Sequence, residues 1–391
     1  MREGYKDTPI GMIPEDWDIV KIQDIAEVKG GKRIPKGESL VETVTPYPYI
    51  RVTDMYLGGI HKENLLYVPE HIQPSIKRYT IGKDDLFISV AGTLGIVGKI
   101  PIELDRANLT ENADKLTNIK CNKEFLLQVL MSDIIQKSVK NDTTSNAQPK
   151  LALTRIQKFL IPLPSNTEQS KIASILSTVD DKIDAINKRI TQTQQLKSGL
   201  MQRLLTRGIG HTSFKDSPLG EIPESWDVLP LEKIVDQFIV PMRDKPKVFS
   251  GETPWCRIED FNGIYLSKSK SGRCVSDGTI REMNLKVYPS GTVLVSCSAD
   301  LGRCAITKAP LTTNQTFIGL VPMNNVSNLF LYYKMVSSAI RLNTLSSGTT
   351  ISYLSREQFE NFKLTYPTNP KEQEDIANII FTIDEKLNVL Q

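Results

Sequence analysis

The second half of this 391-residue chain repeats its first half. Tyr5–Asp18 reads YKDTPIGMIPEDWD and Phe214–Asp227 reads FKDSPLGEIPESWD, with nine of the fourteen positions identical. The correspondence then continues in order. PYIRVTDM (Pro48–Met55) answers PWCRIEDF (Pro254–Phe261), and LFISVAGTLG (Leu86–Gly95) answers VLVSCSADLG (Val293–Gly302). LTENA (Leu109–Ala113) answers LTTNQ (Leu311–Gln315), and LTR at Leu153–Arg155 answers LSR at Leu354–Arg356. EQSKIASILSTVDDKIDAI (Glu168–Ile186) answers EQEDIANIIFTIDEKLNVL (Glu372–Leu390). A period near 200 residues is too long for a solenoid unit of roughly 20–45 residues. It means two duplicated domains, expected to relate by a pseudo-two-fold axis. The shared pieces carry a scaffold, and the divergent pieces between them are free to serve different targets.

Each copy ends in a polar helix with an apolar seam. In copy one the seam is Ile172, Leu176, Val179, Ile183, Ile186 and Ile190, then Leu200 and Leu204, with Thr193 and Lys197 interrupting it. In copy two it is Ile376, Ile380, Ile383, Leu387 and Leu390. The spacing alternates four and three, which is a heptad seam. At 1.5 Å per residue, Glu168–Thr206 would span roughly 58 Å. One helix cannot bury its own seam, so the two are expected to pair antiparallel as a coiled coil. The second helix stops at Gln391, which leaves Ile190–Leu204 without a full partner on this reading.

The rest of each copy mixes short strands and helices with no βαβ alternation. Strands are expected at Tyr49–Val52, Leu86–Val90, Ile96–Ile100, Thr292–Cys297 and Cys304–Thr307. Amphipathic helices are expected at Phe125–Lys140 and Asn328–Leu342. The fold class is α+β, with twisted β-sheets in both domains.

Catalytic chemistry has little to stand on. Histidine occurs only at His61, His71 and His211, none with metal-ligand spacing, so no Ser/His/Asp or Cys/His set can be assembled. Five cysteines without a CxxC pair exclude a zinc knuckle, and buried reduced thiols are expected. Gly92–Ile100 has the wrong spacing for a phosphate-binding loop and lacks the Ser/Thr that holds magnesium. A methyltransferase would need an Asn/Asp-Pro-Pro-aromatic motif and a glycine-rich cofactor loop, and neither is present. No catalytic residue, metal or cofactor is expected on this chain. No apolar run reaches the roughly 18 residues of a membrane span, and no signal core opens the chain. A cytoplasmic protein without membrane contact is expected.

A net charge of +3 permits nucleic-acid binding without demanding it, so a DNA surface has to come from local clustering. Lys29–Lys36 packs basic residues into a Gly-rich stretch, with Lys32, Arg33 and Lys36 as candidate phosphate contacts. Arg243 and Lys245 correspond in copy two. Arg51 and Arg257 occupy equivalent places, where an Arg–Asp structural pair is the competing reading. Ser89 and Ser296, and Asn112 and Asn314, also correspond, and small polar residues at shared positions either hold a turn or touch the DNA backbone. Thr93 against Asp300, and Ile96 against Arg303, differ between the copies and suit base reading. Ser145–Gln148 and Ser346–Thr349, including Ser347 and Thr349, offer amide and hydroxyl donors.

Several motifs together resemble a known family. They are Gly-x-Ile-Pro-Glu-x-Trp at each domain start, Gly30-Gly31 soon after, Ser89…Gly95 and Ser296…Gly302, and Leu-Pro…Glu-Gln…Ile over Leu163–Ile172. The chain resembles the specificity (S) subunit of type I restriction-modification systems along essentially its whole length. The resemblance implies target-recognition domains at 1–162 and 209–366, each reading one half of a split double-stranded DNA sequence. It also implies a central conserved helical region at 163–208 and a C-terminal one at 367–391, which set the spacer and dock two modification subunits. S-adenosylmethionine would belong to those subunits. ATP and magnesium would belong to restriction subunits carrying translocase and nuclease activity. Two other classes compete: a free-standing DNA-modifying enzyme, and a coiled-coil scaffold with no DNA role.

Overall fold

A computed structural model describes residues 3–141, 149–241, 245–298, 300–345 and 354–391. The chain divides into two compact units, Met1–Asp184 and Ala185–Gln391.

In the first unit Leu86–Ser89 lies inside an antiparallel sheet, between Val97–Lys99 and Ala113–Thr117, with Glu27–Gly30 at the far edge. Both faces of Leu86–Ser89 are covered. Leu86 and Ile88 join one core with Phe125, Leu126 and Leu130, and Phe87 joins another with Ile50, Ile81 and Leu109. A strand buried on both faces reads as a continuous apolar run rather than an alternation. A second sheet places Pro48–Ile50 parallel to Ala107–Leu109, flanked by Leu66–Tyr67 and Thr80–Ile81. Leu160–Leu163 returns to pair with Asp18–Lys21, closing the unit where it began.

The second unit repeats the plan. Val293–Ser296 lies between Cys304–Thr307 and Phe317–Pro322. Val235–Ile239 and Tyr265–Leu266 form the edges of this five-stranded sheet. Thr253–Cys256 runs parallel to Thr312–Thr313, and Trp226–Pro230 pairs with Lys363–Pro367. The mixed α+β architecture and its duplication stand as expected.

Two local expectations change. Strand Pro48–Ile50 ends early, because Asp54 accepts the Arg51 N–H at 2.8 Å and draws Val52–Asp54 into a 3-10 turn. Each expected helix is also two helices. Helix α1 (Lys123–Met131) stops at Ser132, whose ψ of 159° is extended, before Asp133–Asn141. Two further helices follow in chain order: α2 is Asn166–Arg207, and α3 is Asn328–Ser337, which stops at Ser338 before Ala339–Leu345.

The Glu-Gln motif at the head of each terminal helix acts as a clamp. In the first unit the Asn122 N–H, at the cap of α1, donates to Gln169 Oε1, while Gln169 Nε2 donates to Pro164 O. In the second unit the terminal helix is α4 (Pro370–Leu390). Gln373 Oε1 accepts from Ser327 N–H, and its Nε2 donates to Tyr366 Oη and Pro367 O. Both glutamines are buried, so each fixes its helix to the domain through bonds that water cannot replace.

Helix α4 packs on the later part of α2. Leu204 and Leu205 of α2 share a core with Ile376, Ala377 and Ile380 of α4 and with Phe330 and Leu331 of α3. The two helices run antiparallel: Glu372 meets Ile209, and Asp384 meets Lys197. Lys197, which interrupts the sequence seam, is an ion-pair partner here, with Nζ 2.5 Å from Asp384 Oδ1.

The antiparallel pairing stands as expected, but the half of α2 that it covers is the opposite one. The later part of α2 is the covered part. Leu176, Val179, Ile183 and Ile186 are exposed, Ile172 and Ile190 are half-buried, and Leu390 at the end of α4 is half-buried. The cause lies at the end of α2. Glu372 accepts from Ile209 N–H and Trp226 Nε1 and bonds His211 Nε2. Lys334 Nζ donates to Leu205 O and Thr365 Oγ1, and burial pulls its pKa down to about 7. These bonds set the start of α4 against the last turns of α2.

Candidate nucleic-acid interface

In the first unit the candidate residues collect where the two sheets meet. The chain leaves Glu27–Gly30 through Gly31, and a Cβ there would stand 2.0 Å from Thr110 O. Only glycine fits so close to another backbone. Lys32 N–H then donates to Leu109 O, and the Tyr49 hydroxyl donates to Lys32 O. Burial pushes that hydroxyl up to about 12, which keeps its proton in place as a donor. The loop is therefore anchored at its base while Lys32, Arg33 and Lys36 point to solvent. Arg33 Nε meets Glu111 at 2.5 Å, and Lys32 Nζ stands 5.8 Å from the Tyr79 ring.

The other turns converge on the same end. Asn112 O accepts from both Val90 N–H and Ala91 N–H, joining the Leu109–Asn112 turn to the one that carries Thr93. Thr93 is exposed and Asn112 half-buried. Ser89 is fully buried: its Oγ donates to Thr93 O at 2.6 Å and accepts from Ile96 N–H at 2.8 Å. Ser296 is buried likewise, its Oγ donating to Ser298 O. Both serines therefore hold the turn from inside, the first of the two roles weighed for them, and neither presents surface for a DNA contact in this structure. Period-two reasoning cannot separate the faces of a strand buried on both.

Arg51 and Arg257 part company. Arg51 places Nε and Nη2 on Asp54 and reaches Asn64 O, the structural pair weighed against DNA contact. In the second unit Asp260 is occupied by Lys270 N–H and Ser269. The Arg257 guanidinium instead meets Glu259 and lies 5.9 Å from the Trp255 ring. Lys245 is exposed and sits 6.0 Å from the same ring. Asp300 and Arg303 are exposed on the turn that matches Thr93 and Ile96, 3.4 Å apart. Asn314 is half-buried and accepts from Thr316 Oγ1. Arg243, Ser347, Thr349 and Ser145–Gln148 lie outside the described residues.

Sequence reasoning missed Lys150 and Asp114. Lys150 bridges to Ala91 beside the Thr93 turn. Asp114 lies buried opposite Gly30 on the neighbouring strand. Burial raises its pKa to about 6, while Lys150 pulls it the other way. A carboxylate raised from 3.8 stays protonated in the folded state while the unfolded chain ionises. Stability is therefore highest below the unfolded value, falls as pH rises from about 4 to about 6, and stays lower above that. Asp114→Asn is expected to gain about 2 kcal/mol at pH 7 and nothing at pH 3.5, by urea denaturation across roughly that range. An equal effect at both pH values would contradict a protonated Asp114.

The five cysteines are free. Cys256, Cys297 and Cys304 are buried as expected, whereas Cys121 and Cys274 are half-buried. Gly92–Ile100 is the turn after the Leu86–Ser89 strand followed by the returning strand Val97–Lys99. Among the described residues no group of His, Cys, Asp and Glu could hold a metal ion. None of the described helices is long and apolar enough to cross a membrane.

Comparisons with known proteins agree with this geometry. A putative type I restriction enzyme specificity subunit, MjaX of Methanocaldococcus jannaschii, is 27% identical over 401 residues, covering 99% of this chain and 91% of the relative. The MjaIX specificity subunit of the same organism is 32% identical over 179 residues, covering 44% of this chain and 41% of the relative. The crystal structure of a type I restriction-modification S subunit from M. genitalium superposes with a TM-score of 0.61 at 17% identity, over 98% of this chain and 94% of that one, so the fold is shared. The family model for the type I restriction modification DNA specificity domain matches twice, at residues 14–195 and 223–391. With both halves matched and the same frame built in each, the chain belongs to the type I restriction-modification DNA specificity family.

Proposed function

We propose that each unit reads one half of a split duplex DNA target, so that the chain supplies sequence choice and no catalysis. The observation that carries this reading is the contrast between shared frame and unshared turns. Ser89 and Ser296 hold the same turn from inside, while that turn presents Thr93 in one copy and the charged pair Asp300 and Arg303 in the other. A duplicated scaffold with exchanged surface residues suits two different half-sites. In this reading the long helices set the half-site spacing and dock two methylating subunits that bring S-adenosylmethionine. Restriction subunits bring ATP, magnesium and the nuclease. The complex works in the cytoplasm, beside the DNA it surveys.

The anchored loop gives the test. Lys32→Ala with Arg33→Ala removes two exposed cations from a loop whose base is held by Gly31 and Tyr49. Affinity of the assembled complex for duplex DNA is expected to fall about tenfold or more in low salt. The slope of log affinity against log salt is expected to drop by about one to two phosphate equivalents. The preferred sequence stays the same. An unaltered slope places the DNA surface elsewhere. Methyl transfer to DNA by this chain alone would contradict the non-catalytic role.

A further inference from the structure

Each unit carries a small apolar cluster apart from its main cores. In the first unit it gathers Tyr49, Val68, Ile72 and Ile76, with Ile34 and Tyr79 packed against it. In the second it gathers Trp255, Val275 and Leu285, with Phe249 packed against it. Tyr49 and Trp255 hold the same place in the repeat, PYIR against PWCR. Both clusters support the basic loop of their unit. The Tyr49 hydroxyl donates to Lys32 O, and Lys245 Nζ lies 6.0 Å from the Trp255 ring.

A guanidinium lies on an aromatic ring of each cluster. Arg78 places Cζ 4.9 Å from the centre of the Tyr79 ring and donates from Nη2 to Tyr79 Oη at 2.8 Å. Lys32 Nζ stands 5.8 Å from the same ring. Arg273 places Cζ 5.1 Å from the centre of the Phe249 ring, and Phe249 packs on Trp255 at 5.2 Å. No carboxylate pairs with either arginine among the described residues, and Arg273 Nη1 is buried without an acceptor. A buried donor left unpaired asks for an explanation, and here the protein supplies no anion for the charge. A guanidinium already laid on a ring loses little further freedom when its other N–H groups bind. Phosphate oxygens match the spacing of that fork.

The two arginines do not correspond. Leu109 N–H donates to Tyr79 O in the first unit and Leu311 N–H to Tyr288 O in the second, so Arg78 matches Val287, which is exposed. Tyr49 pairs with Leu66, and Trp255 N–H donates to Arg273 O, so Arg273 matches Leu66. Arg78 precedes Thr80–Ile81, one edge strand of the first unit's second sheet. Arg273 precedes Cys274–Val275, which matches Leu66–Tyr67 at the other edge. Three strand spacings, roughly 14 Å, separate two such edges. We propose that Arg78 and Arg273 each hold a backbone phosphate of duplex DNA, from opposite edges of the matched sheet. The inference rests on the DNA reading above and adds what the recurrent loop does not. The cation stands at a different place in each copy, so each unit seats its half-site in its own register on a shared frame.

The test uses the assembled complex and a duplex carrying its target. Arg78→Val and Arg273→Leu each install the residue that the other copy holds at the matched place. Either change is expected to weaken binding about tenfold in low salt and to lower the slope of log affinity against log salt by about one. Arg273→Gln, which keeps a polar group at this half-buried place, is expected to lower the slope equally. Ethylation of single phosphates maps the contacts. Arg78→Val is expected to erase the interference at one phosphate of one half-site, and Arg273→Leu at one phosphate of the other. Slopes left unaltered by these variants but lowered by Lys32→Ala with Arg33→Ala overturn the proposal and leave the DNA reading standing. Unaltered slopes in every variant overturn both. Interference erased at the same phosphate position of the two half-sites overturns the difference in register.

Discussion

Ile380→Asp is expected to abolish the cooperative unfolding transition of the second unit. Ile380 has no exposed surface and sits among Leu204, Leu205, Phe330 and Ile376. Losing the buried aliphatic side chain costs about 2–5 kcal/mol. A buried carboxyl group without a partner adds several more, whether it ionises or takes up a proton. The sum reaches the whole net stability of an ordinary domain, about 5–15 kcal/mol. Urea denaturation followed by circular dichroism should show one transition lost and the other retained. Ile183→Asp, on a half-exposed residue of the same heptad pattern, should shift stability by no more than about 0.5–1 kcal/mol. If the two variants were equally damaging, the first half of α2 would have a covering partner within the chain, and the packing described above would be wrong.

Replacing Trp17–Leu160 with the matching stretch of another family member is expected to change one half of the recognised DNA sequence completely and leave the other half untouched. The cut points favour a clean exchange. Both cut points lie at one place in the fold, because Asp18–Lys21 and Leu160–Leu163 are paired strands. Each wrong base pair costs about 1–3 kcal/mol, so two or three altered positions displace the old target by roughly two to six orders of magnitude. A scaffold without a DNA role would leave the modified sequence of the genome as it was. Sequencing of modified sites in cells carrying the exchanged chain distinguishes the outcomes.

The repeat makes the duplicated α+β plan legible from the residues alone, because frame residues such as Trp17 and Trp226 or Gln169 and Gln373 occupy matched places in both copies. The heptad seam is equally plain, but a seam states that a face seeks burial and not what buries it. Helix α4 could be set against either half of α2 by periodicity alone. Glu372, Lys334 and Thr365 make the choice, and their partners lie far away along the chain. Lys197 reads as a fault in the pattern because its partner, Asp384, lies 187 residues away on another helix. The site is legible in part. The exposed Lys32 and Arg33 follow from composition and glycine content. The burial of Ser89 and Ser296 does not, since a short apolar strand gives no clue to which of its residues reach water. Arg51 and Arg257 share a local sequence, and only the occupation of Asp260 by Lys270 and Ser269 sets their guanidinium groups on different partners.

Selection from a pool of randomised duplex DNA by the chain, assembled with the methylating subunits proposed for it, puts the divided-target reading to the test. Sequencing of the bound fraction is expected to yield two short conserved blocks separated by a spacer of fixed length. Their centres should lie about one helical turn apart, roughly 34 Å. Enrichment of one contiguous block, or of no sequence at all, would contradict the reading of two units that each recognise half of a divided target.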